Sequence, residues 1–301
     1  MTTAVVLGRP KPVLRQRIGG YVALTKPRII ELLLVTTLPT MVVAARGLPH
    51  WWLALATLLG GTLAAGGANA INMYIDRDID AVMHRTATRP LVTGVVTPPA
   101  ALVFAITLEV VAFVELWAAV NLLSAVLAVS ATLFYVFVYT LWLKRTSRQN
   151  IVIGGAAGAV PVLVGWAAVR NSVGLAPVLL FALIFVWTPP HFWALAIKYR
   201  DDYRSVDVPM MPAVATFEKT ARQILAYSVL VLGVSLLFGW AAHLGAIYWL
   251  SAVVLGAAFC GLAIRLCLKR TEARAMQLFH WSITYVTLLF GAMALDQLVL
   301  H

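Results

Sequence analysis

Residues 66–80 read Gly66-Gly67-Ala68-Asn69-Ala70-Ile71-Asn72-Met73-Tyr74-Ile75-Asp76-Arg77-Asp78-Ile79-Asp80. An apolar run that starts near Trp51 passes here, with no proline or glycine turn, into three acids. Asn72, Asp76 and Asp80 are spaced four and eight apart, which stacks them on one helix face. Two carboxylates at that spacing repel unless a cation sits between them. Hard oxygen donors with no His or Cys among them suit Mg²⁺, which is usually held by one or two carboxylates together with substrate phosphates. A solvated helix end would explain Asp78, which faces elsewhere. It does not explain an asparagine one turn inside an apolar run. An ionisable group at the end of a membrane helix points to function by default.

The wider composition sets that stretch in lipid. The chain has 301 residues, 61% of them hydrophobic and 12% charged, with a mean hydropathy of +0.89. A water-exposed surface needs roughly 25% charged residues. Membrane spans need about 20 apolar residues. Such runs lie at 29–46, 51–75, 100–117, 121–143, 151–169, 175–197, 224–243, 245–265 and 279–299. The expected fold is therefore all-α, a polytopic membrane protein of nine transmembrane helices. The expected organisation is a basic arm over 1–28 and one transmembrane domain over 29–301. Cys260 and Cys267 read as small apolar residues, with no disulfide or ligand pattern.

Charge orients the spans. Of the 23 Lys and Arg, 21 fall in the arm or in the connectors after even-numbered runs; only Arg46 and Arg170 lie on the other side. Basic loops mark the cytoplasmic face. The N-terminus is expected inside and the C-terminus on the opposite side of a cell (inner) membrane. The net charge of +11 is then a topology signal and no nucleic-acid footprint. Met1–Arg28 lacks a compact apolar core before a small-residue cleavage site, so no cleavable signal is expected. The arm also lacks acids, which leaves a mitochondrial inner membrane as the lesser alternative.

Basic residues gather beside the acids. His84, Arg85 and Arg89 follow the first cluster, and Lys144 and Arg145 close the fourth run. Arginine forks match phosphate oxygens, although each of these also serves as a simple membrane-end anchor. The sixth run ends Pro189-Pro190-His191-Phe192-Trp193 and continues to Lys198, Asp201 and Asp202. Two carboxylate clusters on one face make a two-sided metal cage plausible. The double proline is expected to break the sixth helix, with His191 at the break. Glycines at Gly154, Gly155 and Gly158 are expected to allow close helix packing near a ligand.

These residues resemble the UbiA-type prenyltransferase superfamily. Asn72-x3-Asp76-x3-Asp80 is similar to its first aspartate-rich motif, and Lys198–Asp202 takes the place of the second. Within it, several stretches resemble the haem-farnesylating branch, the haem O synthases. They are Thr25-Lys26-Pro27-Arg28, Met83-His-Arg-Thr86 with Arg89-Pro90, Gln149-Asn-Ile-Val-Ile-Gly-Gly-Ala-Ala-Gly158, Pro189-Pro-His-Phe-Trp-Ala-Leu195, Asp201-Asp-Tyr203 and Val208-Pro-Met-Met-Pro212.

The resemblance implies nine helices around a central cavity open to membrane lipid, and transfer of a farnesyl group from farnesyl diphosphate to a vinyl group of haem b. It implies Mg²⁺ on Asn72, Asp76, Asp80 and Asp202, with Asp201 as a further ligand. Arg85, Arg89, Lys144, Arg145 and Lys198 would hold the diphosphate, and Tyr139 would lie near the ionising carbon. Lys198 stands where the wider superfamily has a carboxylate, so it is expected to bind diphosphate directly. His191, then His84, is expected at the haem iron. Haem A synthase or oxidase assembly factors are the expected recipients. The alternatives are another aromatic prenyltransferase of the same fold, or a transporter using the embedded acids Glu31, Glu109, Glu115 and Asp296.

Overall fold

A computed structural model describes residues 13–300, apart from the side chains of Ile29, Leu32, Leu33 and Leu34. Arg9 and Lys11 of the basic arm lie outside them. Short α1 (Leu14–Thr25) leads into α2 (Pro27–Ala45) and then α3 (Trp51–Ile75). Three short elements follow on one membrane face: α4 (Arg77–Val82), a 3₁₀ turn at His84–Thr86, and α5 (Pro90–Thr93). Next come α6 (Pro98–Ala119) and α7 (Leu122–Leu133), which runs on through π-helical turns at Phe134–Leu143 into α8 (Lys144–Thr146). The second half holds α9 (Asn150–Arg170), α10 (Leu175–Lys198), α11 (Arg200–Arg204) and α12 (Met211–Val214). It ends with α13 (Phe217–Ala241), α14 (Ala246–Leu268) and α15 (Glu272–Leu300).

Among the described residues, eight helices are long and apolar enough to cross a membrane, and α2 takes the ninth place with its apolar stretch Val35–Ala45. Consecutive spans pack against one another, and α15 closes back on α2. The chain is a multi-pass membrane protein. Exposed Val103, Val110, Leu237 and Leu250 show why: their outward faces are apolar, and only lipid tolerates that over so many helices.

Two ion pairs and a hydrogen bond tie the even-numbered connectors together. Arg145 reaches Asp78, the Arg85 amide reaches Asp202, and Arg270 reaches Glu218. The charge tally had placed these connectors on one face, and their contacts put them there. The arm is less separate than expected. Leu24 of α1 is fully buried with Ala70, Met73 and Val96, so α1 is docked on the bundle.

The expected break at Pro189-Pro190 does not occur. α10 runs unbroken from Leu175 to Lys198 with both prolines buried. Proline removes a donor, but neighbouring helices can satisfy what it frees. Here α15 packs along α10 and accepts the Trp187 indole N–H at Ser282 O, 2.9 Å away.

Candidate functional site

The site begins where α3 ends. Asp76 caps α3 and is fully buried; Asn72 and Asp80 are nearly so. A buried carboxylate is costly unless paired, and the fold pairs each one. Lys144 Nζ contacts Asp76 Oδ2. Arg89 contacts Asp80 Oδ2. Arg145 grips Asp78 through both terminal nitrogens, at 2.7 and 2.8 Å. That bidentate pair holds the Asp78 carboxyl at about 2, well below the usual carboxylate range. So six of the residues expected to serve a diphosphate and its metal, Asn72, Asp76, Asp80, Arg89, Lys144 and Arg145, lie within one cluster. Asp78, which the spacing sets aside, anchors the third cation, Arg145.

The π-helical turns place Lys144. Thr140 Oγ1 donates to Tyr135 O at 2.8 Å and accepts from Asn72 Nδ2 at 3.2 Å. Asn72 Nδ2 also donates to Asp76 Oδ2 at 2.7 Å. Tyr139 stacks on Tyr135, with ring centroids 5.4 Å apart and planes within 14°. Stretches of π-helix often mark functional positions, and here one turns Tyr139, Thr140 and Lys144 toward the end of α3. Gly154 is what lets Tyr139 sit there. A Cβ on Gly154 would lie 2.2 Å from the Tyr139 ring. The expectation of close packing at these glycines holds at Gly154 and Gly155, but a Cβ on Gly158 would meet nothing within 4 Å.

Lys26 belongs to this site and was not singled out. Its Nζ donates to Asn72 Oδ1 at 2.8 Å. Its backbone is left-handed, φ 52°, at the junction of α1 and α2. Burial, then Arg89 and Lys144 nearby, pulls its pKa down to about 7. The signal available in sequence was a lysine before Pro27 at the start of a span, which also reads as an ordinary membrane-end anchor.

The second cluster joins only in part. Asp202 Oδ2 accepts from the Arg85 backbone N–H at 3.1 Å. The Arg85 guanidinium donates to Tyr203 Oη at 3.3 Å and lies over the Tyr199 ring. Asp201 faces solvent and pairs with Arg204 and Arg200. Lys198 is exposed beside Tyr199. Among the described residues, no three His, Cys, Asp or Glu side chains gather closely enough to hold a metal by themselves. The donor set at the first cluster nevertheless suits a hard cation. Asp76 Oδ1 is buried with no hydrogen-bond partner, an oxygen left for one more ligand.

His84 is exposed in its 3₁₀ turn. His191 stacks between Trp187 and Phe279, with centroids at 4.3 and 4.8 Å. Its Nδ1 lies 2.7 Å from Ser282 Oγ. The Ser282 hydroxyl is in reach of Phe279 O; with its proton directed there, Nδ1–H donates to Oγ and Nε2 carries the lone pair.

An apolar cavity of about 190 Å³ lies between α2, α3, α7 and α9, lined by Ala64, Ala68, Thr132, Tyr135 and Val164 among others. Tyr135 connects it to the polar cluster through its stack on Tyr139. Two of the embedded acids have local hydrogen-bond partners. Asp296 caps α14 by accepting from the Gly245 and Tyr248 amides. Glu109 accepts from Thr132.

Comparison with known proteins bears on the whole chain. The UbiA prenyltransferase family matches residues 33–284. A protein from Parafrankia sp. (strain EAN1pec), named protoheme IX farnesyltransferase, is 56% identical across 92% of this chain and 90% of its own length. One of the same name from Frankia alni is 54% identical across 94% and 99%. Among solved structures, a digeranylgeranylglyceryl phosphate synthase is similar with a TM-score of 0.77 at 16% identity, over 94% of this chain and 99% of the other. A UbiA homolog from Archaeoglobus fulgidus, bound to GPP and Mg²⁺, matches with a TM-score of 0.64 at 16% identity, over 91% and 99%.

Proposed function

The chain belongs to the UbiA prenyltransferase family, and on that premise we propose that it transfers the farnesyl group of farnesyl diphosphate to a vinyl group of haem b, giving haem O. The observation that carries this reading is the buried cluster of Asp76, Asp80, Lys144 and Arg89 at the mouth of an apolar bundle. Relatives more than half identical over nearly the full chain are named for this activity.

The chemistry needs two environments side by side. Loss of diphosphate leaves an allylic cation and a multiply charged leaving group. Mg²⁺ on Asn72, Asp76 and Asp80, with Asp202 from the second cluster, would neutralise part of the leaving group's charge. Lys144, Arg145, Arg89 and Arg85 supply the rest by giving phosphate oxygens the hydrogen bonds they now give to carboxylates and a phenol. Lys198 and Lys26 add positive charge at the rim and the base. Tyr139 presents its ring to the allylic cation, whose charge the π face stabilises. The apolar walls keep water from quenching that cation.

Haem binds as the acceptor. His191 has the better claim of the two histidines to its iron, because Ser282 fixes the ring and leaves Nε2 as the free donor. His84 has no such support. The basic face is cytoplasmic by the positive-inside rule, in a bacterial cell membrane. A prenylated haem needs an acceptor in the same bilayer, and haem A synthase or an oxidase assembly factor fits that role.

The test is direct. Purified protein is incubated with Mg²⁺, farnesyl diphosphate and haem b, and the haem is weighed by mass spectrometry. A mass gain of one farnesyl group and one hydroxyl is expected, the hydroxyl coming from a water that adds to the vinyl carbon left cationic when its neighbour bonds to farnesyl, with loss of a proton. Unmodified haem, together with prenylation of a hydroxybenzoate supplied in parallel, would overturn the reading in favour of another aromatic acceptor.

A further inference from the structure

The face opposite the carboxylate cluster holds a second polar cavity, of about 770 Å³. Its lining includes Arg46, Arg170, His243 and Gln297, with Trp166 and Ala176 beside them. Arg46 and Arg170 are the only two Lys or Arg residues that the positive-inside pattern does not account for, and the fold brings both to one cavity. Neither side chain has an ion-pair partner among the described residues.

Helix ends explain part of this. α2, α9 and α13 all finish here, and cations at helix C-termini offset the dipole. Gln297 is not explained that way. It is 5% exposed and lines the cavity. Arg46 and His243 also hold left-handed backbone, φ 55° and 54°, where helix ends usually place Gly or Asn.

We propose that this cavity binds the phosphate of an acidic phospholipid headgroup. Two guanidiniums offer bidentate contacts to phosphate, and the Gln297 amide in the same lining adds a donor. The cavity lies at helix ends, the depth at which headgroups sit. Trp166 stands at its rim, as interfacial tryptophans do. A free phosphate could make the same contacts, so the experiment separates the two sources.

Protein purified from nanodiscs containing phosphatidylglycerol or phosphatidylcholine is analysed by native mass spectrometry for retained lipid. The wild type is expected to retain one phosphatidylglycerol and to discriminate against phosphatidylcholine. Arg46→Gln with Arg170→Gln is expected to weaken retention about tenfold or more, the effect of about 1.4 kcal/mol. Gln297→Leu, which keeps the volume and removes the amide, is expected to weaken it as well. Arg222→Gln, on the other membrane face, is the control and should change nothing. Farnesyl transfer by the Arg46/Arg170 variant in detergent should match the wild type, so this outcome is independent of the catalytic reading. Equal retention by wild type and double variant, or no preference between the two lipids, would overturn the proposal. Displacement of the lipid by submillimolar inorganic phosphate would overturn the lipid as its source.

Discussion

Lys26 Nζ and Asn72 Oδ1 meet at 2.8 Å across 46 positions of sequence, which joins the first turn of α2 to the last turns of α3. The contact makes Lys26 part of the polar cluster. It orients Asn72 so that the amide nitrogen points to Asp76 and Thr140. Replacing Lys26 by Met removes a buried hydrogen bond and leaves Asn72 Oδ1 without its donor, at about 1–3 kcal/mol. The expected result is a fall of about 10- to 100-fold in kcat/KM for farnesyl diphosphate. Lys26→Arg should recover part of it. Unchanged kinetics for Lys26→Met would mean that the contact only fastens α1 and α2 to the bundle.

Asp76 and Lys144 can be separated as fold and function. Asp76→Asn strands Lys144, whose side chain is 13% exposed, at a cost of about 3 kcal/mol or more. Thermal denaturation in detergent should show that loss. Adding Lys144→Met should restore most of the stability, since the stranded charge is gone. Turnover should stay absent in both. A double variant that regains turnover would remove Asp76 from the chemistry.

Gly154 tests the seat of Tyr139. Gly154→Ala puts a methyl 2.2 Å from the Tyr139 ring, and such overpacking costs about 1–3 kcal/mol. Tyr139 must shift, and kcat should fall more than KM rises. Gly158→Ala, one turn along α9 with nothing within 4 Å, is expected to behave as the wild type. Equal effects at the two glycines would mean that α9 as a whole, and not the tyrosine, is sensitive.

Haem spectroscopy tests His191. Ser282→Ala removes the acceptor of Nδ1–H and should loosen the ring, broadening or shifting the Soret band of added haem. His191→Gln should abolish that signature while leaving farnesyl diphosphate affinity unchanged. A Soret band identical in wild type and His191→Gln would assign the ring to packing between Trp187 and Phe279.

Chelation tests the cation. With EDTA present, farnesyl transfer is expected to cease and to return with Mg²⁺, while the melting temperature changes little. The reason for that stability is the pairing of Asp76, Asp78 and Asp80 with Lys144, Arg145 and Arg89. Turnover that persists in EDTA would place the charge neutralisation on the basic residues alone.

Much of this was legible before any coordinates. Nine apolar runs, the one-sided Lys and Arg, and the i, i+4, i+8 spacing of Asn72, Asp76 and Asp80 are local properties of the chain. They follow from the length of a bilayer crossing and the pitch of a helix. The tertiary structure decided which charges meet. No spacing rule connects Lys26 to Asn72, Arg145 to Asp78 or Arg85 to Asp202, because each pair joins different helices. Ten residues of π-helix between Phe134 and Leu143 changed which face carries Tyr139 and Lys144, and apolar composition gives no sign of such a shift. α10 runs on through Pro189 and Pro190, where proline chemistry alone predicts a break. Sequence determined the lipid setting and the stacking of the candidate site residues on one helix face, since these depend on hydrophobicity and helical pitch. Which cation faces which anion was decided by the packing of the helices, which brings together groups distant in the chain.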